Sequence, residues 1–165
     1  MTETSARFAL PFILPGQAQK EAFHNEALTL VDAALHLSVA GAPTDEVPVD
    51  PAPGASWIVA PGAAGAWADR TGEVATWTAG GWRFTAPVPG MTAWNIDAGY
   101  RLHWTGTAWS DGEWPVSALT IGGQRVVGPR LETVPSPSGG TIIDAEARAS
   151  LELVIVALRT HGLIE

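Results

Sequence analysis

The order of apolar and polar residues predicts a helix near each end of the chain and short strands between them. In the N-terminal part, apolar residues recur with helical spacing, and Asn25 is a candidate N-cap with Glu26 in the first turn. The stripe consists of Phe23, Ala27, Leu30, Ala34 and Leu37. We therefore expect this helix to bury its apolar face against the strands that follow.

The last segment predicts a second helix. Asp144 is a candidate N-cap, and Gly162 lies where a glycine would end the helix. Between them, apolar residues follow the 4-3-4 spacing of a coiled-coil seam: Ala147, Leu151, Val154 and Leu158. Further apolar residues widen this surface, so we expect the helix to cover a core and also to contact a neighbouring molecule. The four seam residues are the candidate contact between copies of the chain.

All eight tryptophans lie within residues 57–114, and most belong to a duplicated unit. Four features recur with one offset of 27 residues: Ala66-Trp67 as Ala93-Trp94, Gly72 as Gly99, Trp77-Thr78 as Trp104-Thr105, and Trp82 as Trp109. In each copy a strand ends in Trp-Thr, a tight turn follows, and a second strand opens with Trp. A third hairpin is predicted around Gly122-Gly123.

Together these elements predict an α+β fold. A central, small antiparallel β meander or barrel-like unit carries the 27-residue tryptophan repeat and is flanked by the N-terminal and C-terminal helices. The length favours a single domain over 1–165. Its parts are an N-terminal segment and helix at 1–40, a proline-rich connector at 41–56, the tryptophan-rich β region at 57–143 and the C-terminal helix at 144–165.

Composition and charge argue against several classes of protein. The net charge is −8 with nine basic residues, so the chain lacks a basic stripe for a phosphate backbone, and we expect no nucleic-acid partner. No apolar run is long enough to span a membrane, and the run ending at Pro15 lacks the features of a signal peptide. The absence of cysteine excludes disulfides and fits synthesis in a reducing cytoplasm.

Candidate catalytic chemistry is sparse. The four histidines lie in different elements without metal-ligand spacing, so we expect no metal site. Asp111 and Glu113 could serve a glycosidase only if a cleft held them at a fixed separation, and they are more simply explained as turn residues. No nucleophile elbow, P-loop or dinucleotide fingerprint occurs. The sequence therefore predicts a protein that is not an enzyme, with no catalytic residues and no cofactor.

The tryptophans have two interpretations, as core and as surface. Repetition favours burial of Trp67, Trp77, Trp94 and Trp104, because repeated units repeat their packing. Tryptophans beside turns and acidic residues could instead be exposed and stack on sugar rings, while Asp and Asn side chains bind the hydroxyl groups. The candidate glycan contacts on this hypothesis are Trp82, Asn95, Asp97, Trp109, Asp111, Glu113 and Trp114.

Several motifs along the chain are similar to those of one known family. They are residues 10–20, 24–28, 65–67, 77–82, 126–130, 144–148 and 158–164. On these motifs the chain resembles the DUF2793 family. That family occurs mainly in alphaproteobacterial prophages and gene transfer agents, where its members are associated with tail fibres and head spikes. It supplies no accepted catalytic residues.

The resemblance implies a structural component of a phage-like particle, a head-spike base or fibre module that mediates attachment to the virion and adhesion to the cell surface. The alternative is a glycan-binding module that contacts host capsule polysaccharide. The implied partners are further copies of the chain and another virion protein. A trimer would fit a fibre, and a pentamer would fit a capsid vertex. The implied location is the surface of the particle after synthesis in the cytoplasm.

Overall fold

The computed structural model describes residues 3–13, 20–141 and 144–164. The chain divides into two compact units, Met1–Trp114 and Pro115–Glu165, which we call the N-terminal and C-terminal units. The single domain proposed over 1–165 stays a prediction. Residues 14–19, a part of the N-terminal family motif, lie outside the described ranges. Among the described residues, no helix is long and apolar enough to cross a membrane.

Two helices flank short, mainly antiparallel strands in the chain order, which confirms the predicted α+β fold. In the N-terminal unit the elements are α1 Lys20–Ala34, β1 Ser38–Val39, β2 Ser56–Ile58, a 3₁₀ turn Gly65–Trp67, β3 Val74–Thr78, β4 Gly81–Thr85, β5 Thr92–Asn95 and β6 Tyr100–His103. In the C-terminal unit they are β7 Leu119–Ile121, β8 Gln124–Val127 and α2 Ala145–Thr160.

The strands of the N-terminal unit form two three-stranded sheets, ordered β1-β5-β6 and β2-β3-β4. All pairings are antiparallel except that of β1 with β5. One apolar cluster takes side chains from both sheets and from the residue before β1: Leu37, Val39, Ile58, Val74, Ala93 and Leu102. Because both sheets bury residues in this cluster, they form one core and not two independent meanders.

The two copies of the repeat share their hairpin geometry. Trp77 and Trp82 pair across β3 and β4 with ring centroids 5.0 Å apart, and Trp104 and Trp109 form an equivalent pair at 5.8 Å. In both turns a threonine hydroxyl donates to a backbone carbonyl three residues later, from Thr78 at 2.7 Å and from its counterpart in the second copy at 2.9 Å. The predicted duplication is thus present in three dimensions.

The copies differ at their opening tryptophans. Trp67 lies in the 3₁₀ turn and is fully buried, as expected from the sequence. Trp94 lies in β5 and is 43% exposed, so the expectation that it belongs to the core was wrong. The reason is strand alternation: Ala93 faces the core, and its neighbour must face the other side of the sheet. Trp77 and Trp104 are half-buried.

The proline-rich connector lies against β2. The N–H of Thr44 donates to the carbonyl of Ile58 at 3.0 Å, and the carbonyl of Thr44 accepts from the N–H of Ala60 at 2.8 Å. Val47 packs against a second apolar cluster, which contains the buried Trp67. The segment contains several bends and a turn closed by Ala52 and Ala55, and it is attached to the core.

Helix α1 does not bury the face that its periodicity indicates. Phe23 is 85% exposed, and Ala27 and Ala34 are exposed too. Only Leu37 of the predicted stripe is buried, and it lies beyond the end of the helix. The helix instead turns polar side chains inward, among them Asn25, Glu26, Thr29 and Asp32. The predicted packing face was therefore wrong.

Asn25 is not an N-cap, because α1 begins at Lys20 and places Asn25 inside the helix. Its side-chain amide makes two hydrogen bonds with the backbone of Ile13, one to the N–H and one to the carbonyl, both at 2.9 Å. This side chain therefore ties the N-terminal segment to the helix.

The buried carboxylate of Asp32 is the main attachment of the N-terminal segment. It accepts hydrogen bonds from the hydroxyl of Ser5 at 2.7 Å and from the backbone N–H groups of Arg7 at 2.9 Å and Phe8 at 2.7 Å. The guanidinium of Arg7 in turn donates to four carbonyl groups at the end of α1 and just after it, those of Asp32, Ala33, Leu35 and His36. A cation thus neutralises the negative end of the helix dipole.

In the C-terminal unit the sequence predictions of local structure are confirmed. Gly122 and Gly123 join β7 to β8 with φ of 57° and 79°, as a type I′ turn requires. The carboxylate of Asp144 accepts from the N–H of Ala147 at 2.9 Å and caps α2. Gly162 follows the helix with φ of 68°.

We predict that Asp32→Ala lowers the free energy of unfolding by about 3 kcal/mol, because three donors lose a charged acceptor in a buried place. Urea unfolding followed by tryptophan fluorescence measures this. Asp50→Ala removes an exposed carboxylate and should change the value by no more than about 0.5 kcal/mol. Equal effects of the two substitutions would show that the Asp32 contacts do not hold the segment.

Candidate functional site

The face of β5 and β6 that points away from the core carries an exposed aromatic and basic surface. Ala93 and Leu102 pair across the two strands and face the core. Their neighbours in the next pair, Trp94 and Arg101, are opposite each other on the outer face. Alternation places Thr92 and His103, which also form a pair, on that face.

A groove of about 230 Å³ lies over this face. One side is formed by the end of α1 and the residues after it, and the floor is formed by β5 and β6. Its lining residues are Ala34, His36, Leu37, Thr92, Trp94 and Arg101. An exposed indole, a guanidinium, an imidazole and a hydroxyl thus surround one small space.

The loop after β6 extends this surface. The ring of Trp114, which is 49% exposed, packs edge-on against the ring of His103 with centroids 5.3 Å apart. The hydroxyl of Tyr100 donates to the carboxylate of Asp111 at 2.7 Å. This hydrogen bond, with a smaller contribution from burial and charge, raises the pKa of Tyr100 above its ordinary value.

The seven candidate glycan contacts lie in different environments. Trp82 is half-buried and packs between the rings of Trp57 and Trp67 at 5.7 Å and 5.1 Å. Trp109 packs against the main core and donates its indole N–H to the carbonyl of Gly72 at 2.9 Å. Both side chains therefore contribute to the fold.

Asn95 is buried, and its side-chain oxygen accepts from the N–H of Ala98 at 3.1 Å, so it closes the turn after β5. The remaining candidates, Asp97, Asp111, Glu113 and Trp114, are exposed. As glycan contacts, all seven residues stay predictions. Sequence reasoning overlooked Trp94 and Arg101, because only the strand register brings them together.

A larger cleft, of about 420 Å³, lies between the N-terminal segment, α1 and the β3–β4 hairpin. The charged groups of its lining already have partners. Arg83 donates to Glu26 at 2.6 Å, and Asp32 accepts from the N-terminal segment. Because these contacts hold the elements together, they leave few free groups for a ligand. Among the described residues, no group of three or more His, Asp or Glu side chains could hold a metal ion.

The candidate seam lies on the exposed surface of α2. Ala147, Leu151 and Val154 are exposed, and Leu158 is half-buried. The single buried residue of the helix is Ile155. Other large apolar side chains of the C-terminal unit are exposed as well: Leu119, Ile121, Val126, Val127, Leu131, Val134, Leu153, Val156 and Leu163.

Comparison with known protein families gives one match. The family described as protein of unknown function DUF2793 matches residues 24–110, which is more than half of the chain. The chain belongs to the DUF2793 family. The match covers most of α1, the tryptophan repeat and the groove over β5 and β6, whereas the terminal motifs lie outside it. No curated protein matches the sequence.

We predict that two tryptophan substitutions in this protein differ in their effect on stability. Trp109→Ala removes a ring packed on the core and should lower the free energy of unfolding by about 3 kcal/mol. Trp114→Ala removes a ring that packs edge-on against His103 at the surface and should cost about 1 kcal/mol. Thermal and urea unfolding compare the two variants, and equal losses would contradict their different burial.

We also predict that Asp111→Asn lowers the pKa of Tyr100. In the native protein the raised pKa means that the folded state holds the phenol proton more tightly than the unfolded state. This contact therefore stabilises the fold below the ordinary tyrosine pKa and is lost as the pH rises through the raised value. The chain has a single tyrosine, so tyrosinate absorbance reports this group alone. An unchanged titration in the variant would exclude the contact.

Proposed function

We propose that this DUF2793 protein is a structural component of a phage-like particle, a self-assembling head-spike base or fibre module that supports adhesion to the cell surface. The particle context comes from the resemblance of its motifs. The self-assembly is supported by the exposed apolar surface of the C-terminal unit. Its other partner in the proposal is a further virion protein, and its location is the particle surface.

The C-terminal unit has a small apolar core, which favours self-assembly. In the described part of the C-terminal unit, the buried apolar side chains are Ile155 and Ile164, while many other large apolar residues face solvent. Monomeric proteins rarely expose contiguous apolar patches of more than a few hundred Å². A unit with so small a core of its own gains stability when copies share one.

In this proposal the seam on α2 is the surface through which the copies contact one another. Its 4-3-4 spacing covers barely two heptads, which is too short to hold two helices together alone. Rotational symmetry repeats the contact in every copy and adds the exposed residues of the β7–β8 hairpin. A trimer suits a fibre, and a pentamer suits a capsid vertex.

We predict that Leu151→Asp dissociates the assembly, because it places a charge in an apolar seam. Native mass of the full-length chain should give a defined trimer or pentamer, and the variant should run as a monomer. Truncation after Gly140 removes α2 and should have the same effect. Ala149→Asp is the matched control, since it adds the same charge to the opposite face of α2. A Leu151→Asp variant with full assembly mass would remove the seam from the proposal.

A second candidate function, a glycan-binding module, is favoured by the exposed Trp94 and Trp114. Exposed indole rings beside polar side chains suit the apolar faces and hydroxyl groups of sugars. The two functions are compatible, because the residues of the seam and of the groove lie in different units. They are separated by experiment, since seam variants should change mass and groove variants should change binding.

A further inference from the structure

We propose that the groove over β5 and β6 binds one carboxylated sugar residue of an acidic polysaccharide, with Trp94 under the ring and Arg101 on the carboxylate. This proposal rests on the glycan-binding function and does not depend on self-assembly.

The guanidinium of Arg101 is unpaired among the described residues. The N-terminal unit contains four arginines, and three are engaged: Arg7 at the end of α1, Arg70 with Glu73 and the ring of Phe84, and Arg83 with Glu26. The side chain of Arg101 makes no hydrogen bond or ion pair with any residue in the described part of the chain. Its guanidinium is therefore available to bind a carboxylate with two parallel hydrogen bonds.

The strand opposite Arg101, β5, carries the exposed Trp94. Trp94 is directly across from Arg101 and is exposed on the same face, although its counterpart in the repeat, Trp67, is fully buried. In a repeat that forms a core, an indole that faces solvent gains no stability from burial. It does provide a flat apolar surface for the C–H groups of a sugar ring. Aromatic and cationic groups on adjacent strands can contact two parts of one small ligand.

The size and lining of the groove select the ligand. Its volume of about 230 Å³ is below the ~300 Å³ at which sites for drug-sized ligands begin, so one ring fits better than a larger cofactor. Thr92 and His36 offer a hydroxyl and an imidazole for the hydroxyl groups of a sugar.

The net charge of the chain determines what an anionic ligand needs in order to bind. The chain carries a net charge of −8, which repels anions in general. An anionic ligand therefore needs a local cation, and binding should weaken as salt screens the contact.

The test measures binding by the full-length chain. The probes are oligomers of galacturonate and of hyaluronan, with neutral malto-oligosaccharides of equal length as the uncharged comparison. Isothermal titration should detect binding of at least one acidic oligomer, with at least tenfold weaker binding of the neutral one. Failure of both acidic probes to bind, or equal binding of the neutral oligomer, would overturn the proposal.

Substitutions then assign the site. Arg101→Gln should weaken acidic-oligomer binding at least tenfold and leave the native mass unchanged, whereas Trp94→Ala should weaken binding of acidic and neutral oligomers alike. Arg125→Gln is the matched control, because Arg125 is an exposed arginine of the C-terminal unit whose side chain makes no hydrogen bond or ion pair in the described residues. Unchanged binding in Arg101→Gln would exclude this arginine, even if Trp94→Ala proved unstable.

Acetate distinguishes a sugar site from a general anion site. It presents the same carboxylate without a ring, so it should not displace the oligomer at equal concentration of carboxylate. If acetate competes as well as galacturonate, the groove binds anions alone and the proposal fails. A monomeric native mass in the assembly experiment would leave these binding results unaffected, so the two proposals fail separately.

Discussion

The N-terminal unit depends on one buried carboxylate. Burial of Asp32 would be costly without partners, and three donors from residues 5–8 satisfy it. Those contacts bring Arg7 to the end of α1, where its guanidinium binds the carbonyl groups that the helix leaves free. These polar contacts therefore set the orientation of α1, whose buried apolar residue is the small Ala33. Phe23, Ala27 and Ala34 of its apolar stripe face outward as a consequence, and His36 is placed at the edge of the groove.

Local signals in the sequence were sufficient for the hairpins and for α2. A threonine before a tight turn, two glycines with positive φ and an Asp N-cap each act within four residues, so their effect can be deduced from the sequence alone. The buried face of α1 could not be deduced in this way. The partners of Asp32 are 24 to 27 residues away in the chain, and helical periodicity contains no information about them.

The same limit applies to the candidate site. The repeat equates Trp94 with Trp67, and repetition alone assigns both to the core. Only the pairing of β5 with β6 shows that Ala93 takes the inward position and that Trp94 is opposite Arg101. The exposure of Trp114, in contrast, could be expected from its turn and its acidic neighbours. The availability of Arg101 becomes apparent only when the contacts of the other arginines are known.

Self-assembly would strengthen glycan binding through multivalency. A groove that holds a single sugar ring has few contacts, so each copy should bind weakly. A symmetric assembly presents several such grooves to one polymer, and each binding event after the first is intramolecular. Avidity can then exceed the affinity of one groove by about 10²–10⁴-fold without any new contact. The exposed seam of the C-terminal unit and the unpaired Arg101 of the N-terminal unit would thus serve one purpose, which is firm attachment through weak and repeated contacts.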